Sequence, residues 1–299
     1  MSDWKTAAEV MARTTGMSWR QIAKELGVPK SSCSDHLRKA LKKQGEEEKE
    51  GPRVLVLDIE TKYMLMGGWG LYNQNFSIDQ IEEDWSILSY SAKWFDSDEV
   101  MYSDVSEKTE DCILAELHDL LCEANFIIAH NGRRFDLKKI RARMVARGFP
   151  PHSPVKVIDT LEIARKEFSF SSNKLLYLTK LLCKSNQKLE HEKFAGYKLW
   201  KEFVAGNPEA VKSMREYNIV DVTSLQELYN ILAPWSSSLP NFQVFYEEPS
   251  LDDWEECGYT YSNLGKYQQY RNKKTGQYRR GRVNLLTKEQ RKNLLANIV

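Results

Sequence analysis

The sequence predicts an α/β domain with a mixed sheet flanked by helices. A small all-helical segment precedes it and a basic extension follows. Three observations carry this prediction. Short apolar runs ending in acids or turn residues recur through residues 53–235, helical periodicities separate the later runs, and the flanking segments differ sharply in composition. Strands first, then strands alternating with helices, imply an α/β domain that mixes strand directions.

Each element has its own signal. Val54–Asp58 is an apolar run ending in an acid, which suits a buried strand. Ile87–Phe95 and Val100–Ser103 read as two more strands, and Thr109–Glu123 has helical periodicity. Phe126–His130 is again a short apolar run, Phe135–Arg147 an amphipathic helix stopping before Gly148, and Val155–Ile158 a further strand followed by helices. Asn207-Pro208-Glu209 is a helix start: a capping Asn, a Pro at the first helical position and an acid favoured by the dipole. That helix is expected to reach Leu232, just before Pro234. Gly45–Pro52 is charged, nearly free of apolar residues, and reads as a linker.

The 299 residues suffice for one sizeable core with small appendages. No apolar run is long enough to span a membrane, and Met-Ser-Asp-Trp-Lys lacks a signal-peptide pattern, so no membrane partner is expected and the expected compartment is the cytoplasm. The five cysteines are scattered without CxxC spacing, which argues against a disulfide framework and a cysteine zinc site.

Chemistry concentrates in acids. Asp58 and Glu60 are two apart in one strand, so both point to the same face, with α-carbons about 6.6 Å apart. Two carboxylates at that separation can converge on one cation. Phe126–Ala129 runs through His130 into Asn131-Gly132, a turn signal, and Asp136 follows near a helix start. Acids at strand ends and helix starts lie where open α/β sheets place their sites. Tyr217 and Asp221 are four apart in the last helix and share a face. Asp is a mediocre mid-helix residue, so its presence in an apolar stretch needs a reason. His130 and His191 read as structural.

Taken in order, DIE at 58–60, NGRRFD at 131–136 and YNIVD at 217–221 resemble the three motifs of the DEDD family of 3′→5′ exonucleases. The Tyr four before Asp221 resembles the tyrosine subclass; the histidine subclass would need His where Glu216 stands. The resemblance covers about residues 53–235 and implies an RNase H-like fold. It further implies that Asp58, Glu60, Asp136 and Asp221 hold two divalent cations, Mg²⁺ or Mn²⁺, flanking a scissile phosphate. Tyr217 would orient the attacking water. An ordinary tyrosine pKa of about 10 makes it a poor base. Asp159 in VIDTLEIAR also looks family-like, as a supporting or helix-capping residue. Phage-encoded stand-alone exonucleases look similar in layout, which would place the chain in a host-cell cytoplasm with a replication polymerase as a candidate partner.

Nucleic-acid contacts are expected in several places. Asn131 and Phe135 belong to the second motif. Trp69, with Tyr63, Tyr72 and Phe76, lies in the 62–83 segment beside the first motif; these rings either stack on bases or pack the loop. Residues 18–44 are similar to a helix-turn-helix, with Lys5–Thr14 as a preceding helix. Ile22, Ala23, Leu26, Val28, Cys33 and Leu37 form its apolar set, and Gly27 its tight turn. Its third helix would present Lys30, Ser31, Ser32, Ser34 and Arg38 to duplex DNA; the alternative is a protein-interaction module. From Cys257 onward ten basic residues, among them Arg279 and Arg280, face the single acid Glu289, a net charge of +9 interleaved with tyrosines. That is a nucleic-acid footprint. The segment looks like a zinc ribbon that has lost its metal ligands, so no zinc is expected. The rival readings are a DNA-binding regulator with a silent scaffold and the same chemistry on RNA.

Overall fold

The computed structural model describes residues 4–5, 7–8, 11, 19–29, 33, 51–70, 72, 75–185, 194, 196–236, 238–245 and 251–295. The chain divides into two compact units, Met1–Pro52 with Phe242–Glu248, and Arg53–Asn241 with Pro249–Val299.

In the first unit, α1 (Trp19–Glu25) ends before Gly27, whose φ of +65° makes the tight turn. Ala8, Ile22, Ala23 and Cys33 are buried together, with Trp4, Met11, Leu26 and Val28 packed around them. Lys30, Ser31, Ser32, Ser34 and Arg38, the residues expected to face DNA, lie outside the described residues, as does His191.

The second unit contains a mixed α/β domain. Its five-stranded sheet has the order β5-β4-β1-β6-β7, formed by β1 (Val54–Thr61), β4 (Ile87–Trp94), β5 (Met101–Asp104), β6 (Phe126–Ala129) and β7 (Lys156–Asp159). β4 runs antiparallel to β1 and β5, while β6 runs parallel to β1 and β7. β1 is thus central, which explains its unbroken apolar run. It continues past Asp58 to Thr61 because β4 pairs alongside, with a bulge after Glu60. Asp58 and Glu60 therefore sit within a paired strand, further inside than the apolar run alone predicts. Inside the 62–83 segment, β2 (Leu65–Met66) pairs with β3 (Ile81–Glu83), so this stretch is a hairpin.

The odd-numbered residues Leu55, Leu57 and Ile59 join one core with α2 (Glu110–Glu123) and α3 (Asp136–Ala146). The opposite face carries α7 (Pro208–Leu232), which crosses β1, β4 and β6. α4 (Thr160–Glu167), α5 (Leu175–Leu182) and α6 (Lys198–Val204) pack against α7. α7 begins as expected, with the Asn207 side chain accepting from the Glu209 N–H and Pro208 in its first turn. On the face toward α7, Ser89 and Ser91 of β4 are fully buried; their small side chains let a helix approach.

The basic extension forms a three-stranded antiparallel sheet, β10-β9-β8, from β8 (Trp254–Ser262), β9 (Gly265–Asn272) and β10 (Tyr278–Asn284). A short helix, α8 (Lys288–Lys292), follows, capped by Thr287. No helix among the described residues is long and apolar enough to cross a membrane.

Candidate active site

The side-chain alternation of β1 turns Asp58 and Glu60 toward α7. Asn218 of α7 donates from Nδ2 to Asp58 Oδ2 at 2.7 Å, and its Oδ1 accepts from the Ser89 hydroxyl at 3.1 Å. One buried amide thus ties β4, β1 and α7 together. Asp221 lies one helical turn beyond Asn218 on the same face and is 2% exposed. The indole N–H of Trp200, on α6, donates to Glu60 Oε2 at 3.1 Å. One carboxylate oxygen from each of Asp58, Glu60 and Asp221 falls within 4.8 Å of the others.

Asp136 reaches the same place from another element. It opens α3, is 3% exposed, and its Oδ1 accepts from the Ile59 backbone N–H at 3.2 Å. A cavity of about 200 Å³ is lined by Asp58, Glu60, Asp136 and Asp221, with Phe135 and His130 among its walls. Asp136 stands outside the tight group of three but inside their common cavity. Burial pushes its carboxyl up to about 7; backbone N–H groups of Asp136 and Ile59 pull the other way, and the charge of Asp159 adds to the rise.

The turn before Asp136 has two special residues. Asn131 takes φ of +69°, the left-handed region that Asn tolerates better than most residues. Gly132 is there for space: a Cβ on it would sit 2.3 Å from the Ala129 Cβ. Asp159 anchors this turn. Its carboxylate accepts from the backbone N–H of Asn131 (2.8 Å), Arg133 (3.2 Å) and Leu161 (3.0 Å), so one side chain caps α4 and clamps the turn that aims Asp136. This fits the supporting, helix-capping place expected for Asp159.

Neutral donors such as Asn218, Trp200 and the Ile59 amide orient carboxylates without cancelling their charge. Several acids gathered in one cavity raise the electrostatic cost of ionising all of them, which a divalent cation offsets. An all-oxygen donor set suits hard cations such as Mg²⁺ or Mn²⁺.

A family model described as the RNase_H superfamily matches residues 77–233, just over half of the chain. The chain belongs to the RNase_H superfamily. Within this RNase_H superfamily domain the matched stretch contains Asp136, Tyr217 and Asp221 and begins after β1, so Asp58 and Glu60 lie before it. Among solved structures the chain is similar to the family B DNA polymerase from the hyperthermophilic archaeon Pyrobaculum calidifontis, at 18% identity and a TM-score of 0.45. The likeness covers 62% of this chain and 26% of the polymerase, so the chain spans about a quarter of that protein's length. No curated protein matches the sequence.

The remaining expected site residues fall in different places. The Tyr217 ring packs edge-on against Trp200, whose indole holds Glu60, with ring centroids 6.0 Å apart. Asn131 and Phe135 both line the cavity. Trp69 is 97% exposed on the 62–83 hairpin. Arg280 is exposed, with its guanidinium 4.2 Å from the Tyr267 ring centre. Arg279 is turned inward: it donates to the Leu239 carbonyl at 3.2 Å and lies close to that of Pro240, so it fastens the terminal sheet rather than standing open to a strand. Both ring nitrogens of His130 are engaged, by the Thr160 hydroxyl and the Asn173 carbonyl. Sequence reasoning missed Asn218 and Trp200. Asn218 had a signal, a second polar residue one turn before Asp221 on an apolar helix. Trp200 had none, since its contact with Glu60 joins residues 140 apart.

Proposed function

We propose that this chain is a 3′→5′ exonuclease that hydrolyses phosphodiester bonds at the 3′ ends of DNA and releases nucleoside 5′-monophosphates. The observation that supports it best is the convergence of Asp58, Glu60 and Asp221, from a strand and a helix far apart in the chain, within 4.8 Å of one another in a cavity that also takes Asp136. Asp58, Glu60, Asp136 and Asp221 would hold two divalent cations, Mg²⁺ or Mn²⁺. When bound, these supply positive charge against the phosphate and lower the pKa of water.

The chain's own part is to fix the carboxylates beforehand. Asn218 orients Asp58, Trp200 orients Glu60, and the Ile59 amide orients Asp136. Such outer contacts keep the ligands from reorganising as substrate arrives. Phe135 offers an apolar wall beside the acids for a terminal base or sugar. Trp69 is placed to stack on a strand, a contact worth about 1–3 kcal/mol per base. We assign Tyr217 a water-orienting role, one helical turn from Asp221 on the same helix.

The first unit is assigned duplex DNA docking through Lys30, Ser31, Ser32, Ser34 and Arg38. The basic terminal sheet, through Arg280 and its tyrosines, is assigned single strands. A replication polymerase is a candidate partner, with this chain proofreading in trans.

The test is a 5′-labelled oligodeoxynucleotide incubated with Mg²⁺ or Mn²⁺ against EDTA. A ladder shortening from the 3′ end is expected, abolished by EDTA and by Asp58→Ala. A ladder that Asp58→Ala leaves intact would sink the assignment. The ribose version of the oligonucleotide, cut more slowly, checks the preference for DNA.

A further inference from the structure

A second cavity, of about 290 Å³, adjoins the acid cavity and shares Asn131 with it. Its other walls come from Arg134, in the turn before Asp136, and from one face of α4. Leu161 and Arg165 are four apart, as are Glu162 and Lys166, so these α4 residues point together.

The charges in this cavity are unevenly engaged. Asp159 spends its carboxylate on three backbone N–H groups. Glu162 pairs with Arg133 at 3.3 Å, and Lys166 with Glu167 at 3.3 Å. Arg134 and Arg165 form no ion pair among the described residues, and both are exposed. Two guanidiniums from separate elements thus face one hollow beside a group of carboxylates. Planar, multi-donor guanidiniums are suited to phosphate oxygens. The volume holds a phosphate with ordered water, since a water occupies about 30 Å³ of the liquid.

We propose that this cavity is a subsite for a second, non-scissile phosphate of a polynucleotide strand whose reacting phosphate lies at the acids, with Arg134 and Arg165 as its ligands. This rests on the nuclease reading of the acid cavity. The physical logic is separation of tasks. Arginines among the acids would compete for the carboxylates that are to hold cations. Arginines one cavity away bind the same strand through a different phosphate and leave those carboxylates alone. Asp159 joins the two, because it clamps the turn that carries both Arg134 and Asp136. The consequence is a substrate-length preference: a strand with several phosphates engages both cavities, and a lone diester engages one.

The experiment compares wild type with Arg134→Gln/Arg165→Gln on two substrates. One is a single-stranded oligothymidylate of about a dozen nucleotides. The other is the p-nitrophenyl ester of thymidine 5′-monophosphate, which has a single phosphodiester. The double variant is expected to raise KM for the oligonucleotide about tenfold with kcat kept, the pattern of lost uniform binding. Hydrolysis of the small ester should stay within about twofold. In EDTA, binding of the same oligonucleotide by anisotropy should lose about 0.7 from its log–log salt slope, the value for one phosphate on a single strand. Arg141→Gln/Lys212→Gln, two exposed charges on other faces, should change neither quantity. Equal effects on both substrates, an unchanged salt slope, or a control pair that matches the test pair would each overturn the subsite. If wild type cuts neither substrate, the nuclease reading fails on its own, and the salt slope still decides whether these arginines hold a phosphate.

Discussion

Leu57 in β1 and Tyr261 in β8 are strand residues of the same compact unit, yet Leu57 is 0% and Tyr261 69% exposed. The contrast extends to their sheets. Leu55, Leu57 and Ile59 lie under α2 and α3, and the other face of β1 is closed over by α7. No residue of β8 or β10 is buried, and β9 buries only Gly265. The terminal sheet pairs rings with cations instead: Lys266 lies 3.9 Å from the Tyr259 ring centre and Arg280 4.2 Å from that of Tyr267. Exposed cation–π contacts contribute about 0.5–1 kcal/mol each. Truncating a buried Leu costs about 2–5 kcal/mol. One sheet is therefore built to hold carboxylates still, and the other to present rings and charge.

The widest gap between the two sheets is expected in catalysis. Asp58→Ala should lower kcat on an oligonucleotide by more than the roughly 10–100-fold that losing an outer contact to a metal ligand costs. Arg280→Ala should change KM and salt dependence while leaving kcat in place. A quench-flow measurement in which both variants lose the same kcat would break the division. Stability gives the next gap. Leu57→Ala should lower unfolding free energy in urea by about 2–5 kcal/mol, whereas Tyr261→Ala should stay within about 0.5 kcal/mol. A large loss for Tyr261→Ala would mean that the terminal sheet is covered by something in solution.

Two glycines sharpen the comparison. Gly132 has no room for a Cβ, which would meet the Ala129 Cβ at 2.3 Å, and the turn it belongs to aims Asp136. Gly132→Ala should cost about 1–3 kcal/mol through overpacking and reduce cleavage as well, because the shift moves a carboxylate. Gly276, between β9 and β10, has φ of +71° with open space around it apart from Pro234 at 3.5 Å. Gly276→Ala should cost roughly 1–2 kcal/mol from the left-handed backbone alone, with kcat unchanged. Thermal melts paired with initial rates read both effects, and a Gly132→Ala protein with full activity would sink the role given to that turn.

What was legible in the sequence follows from the same contrast. β1, β4, β6 and α7 announce themselves because burial imposes a pattern, an apolar run on a central strand and caps on a long helix. Asp58 and Glu60 were readable as one face of one strand, and Gly132 as part of a turn, though its tight approach to Ala129 is a fact of three dimensions. β8, β9 and β10 were not legible as strands: with both faces largely wet, no alternation of apolar and polar residues survives, and the tyrosines read only as interleaved aromatics. Arg279 looked like its neighbour Arg280 in the sequence. Only the fold shows that it spends its guanidinium on the carbonyl of Leu239. Trp200 was invisible for the same reason, since a contact across 140 residues leaves no local trace.

A different kind of effect is expected on pH dependence, and it separates two carboxyls within the first sheet's own scaffold. Burial alone would raise the pKa of Glu110, but the Arg143 guanidinium, the Ile87 N–H and Arg147 outweigh it and hold it below the usual range. A depressed carboxyl stabilises the fold above its unfolded pKa, about 4.3, and that contribution is lost as pH falls through the folded value. Asp136 has the opposite sign. Its folded pKa of about 7 lies above the unfolded value of about 3.9, so the cation-free protein binds a proton that the unfolded chain has released. Stability from this group is full at low pH and declines as pH rises from about 4 to 7. Urea midpoints in EDTA across that range should therefore fall less steeply toward neutrality in Asp136→Asn than in wild type. Glu110→Gln should flatten the acid limb instead. Parallel curves for Asp136→Asn and wild type would mean that the carboxyl beside Ile59 is already ionised without a cation, and that its burial is relieved by water.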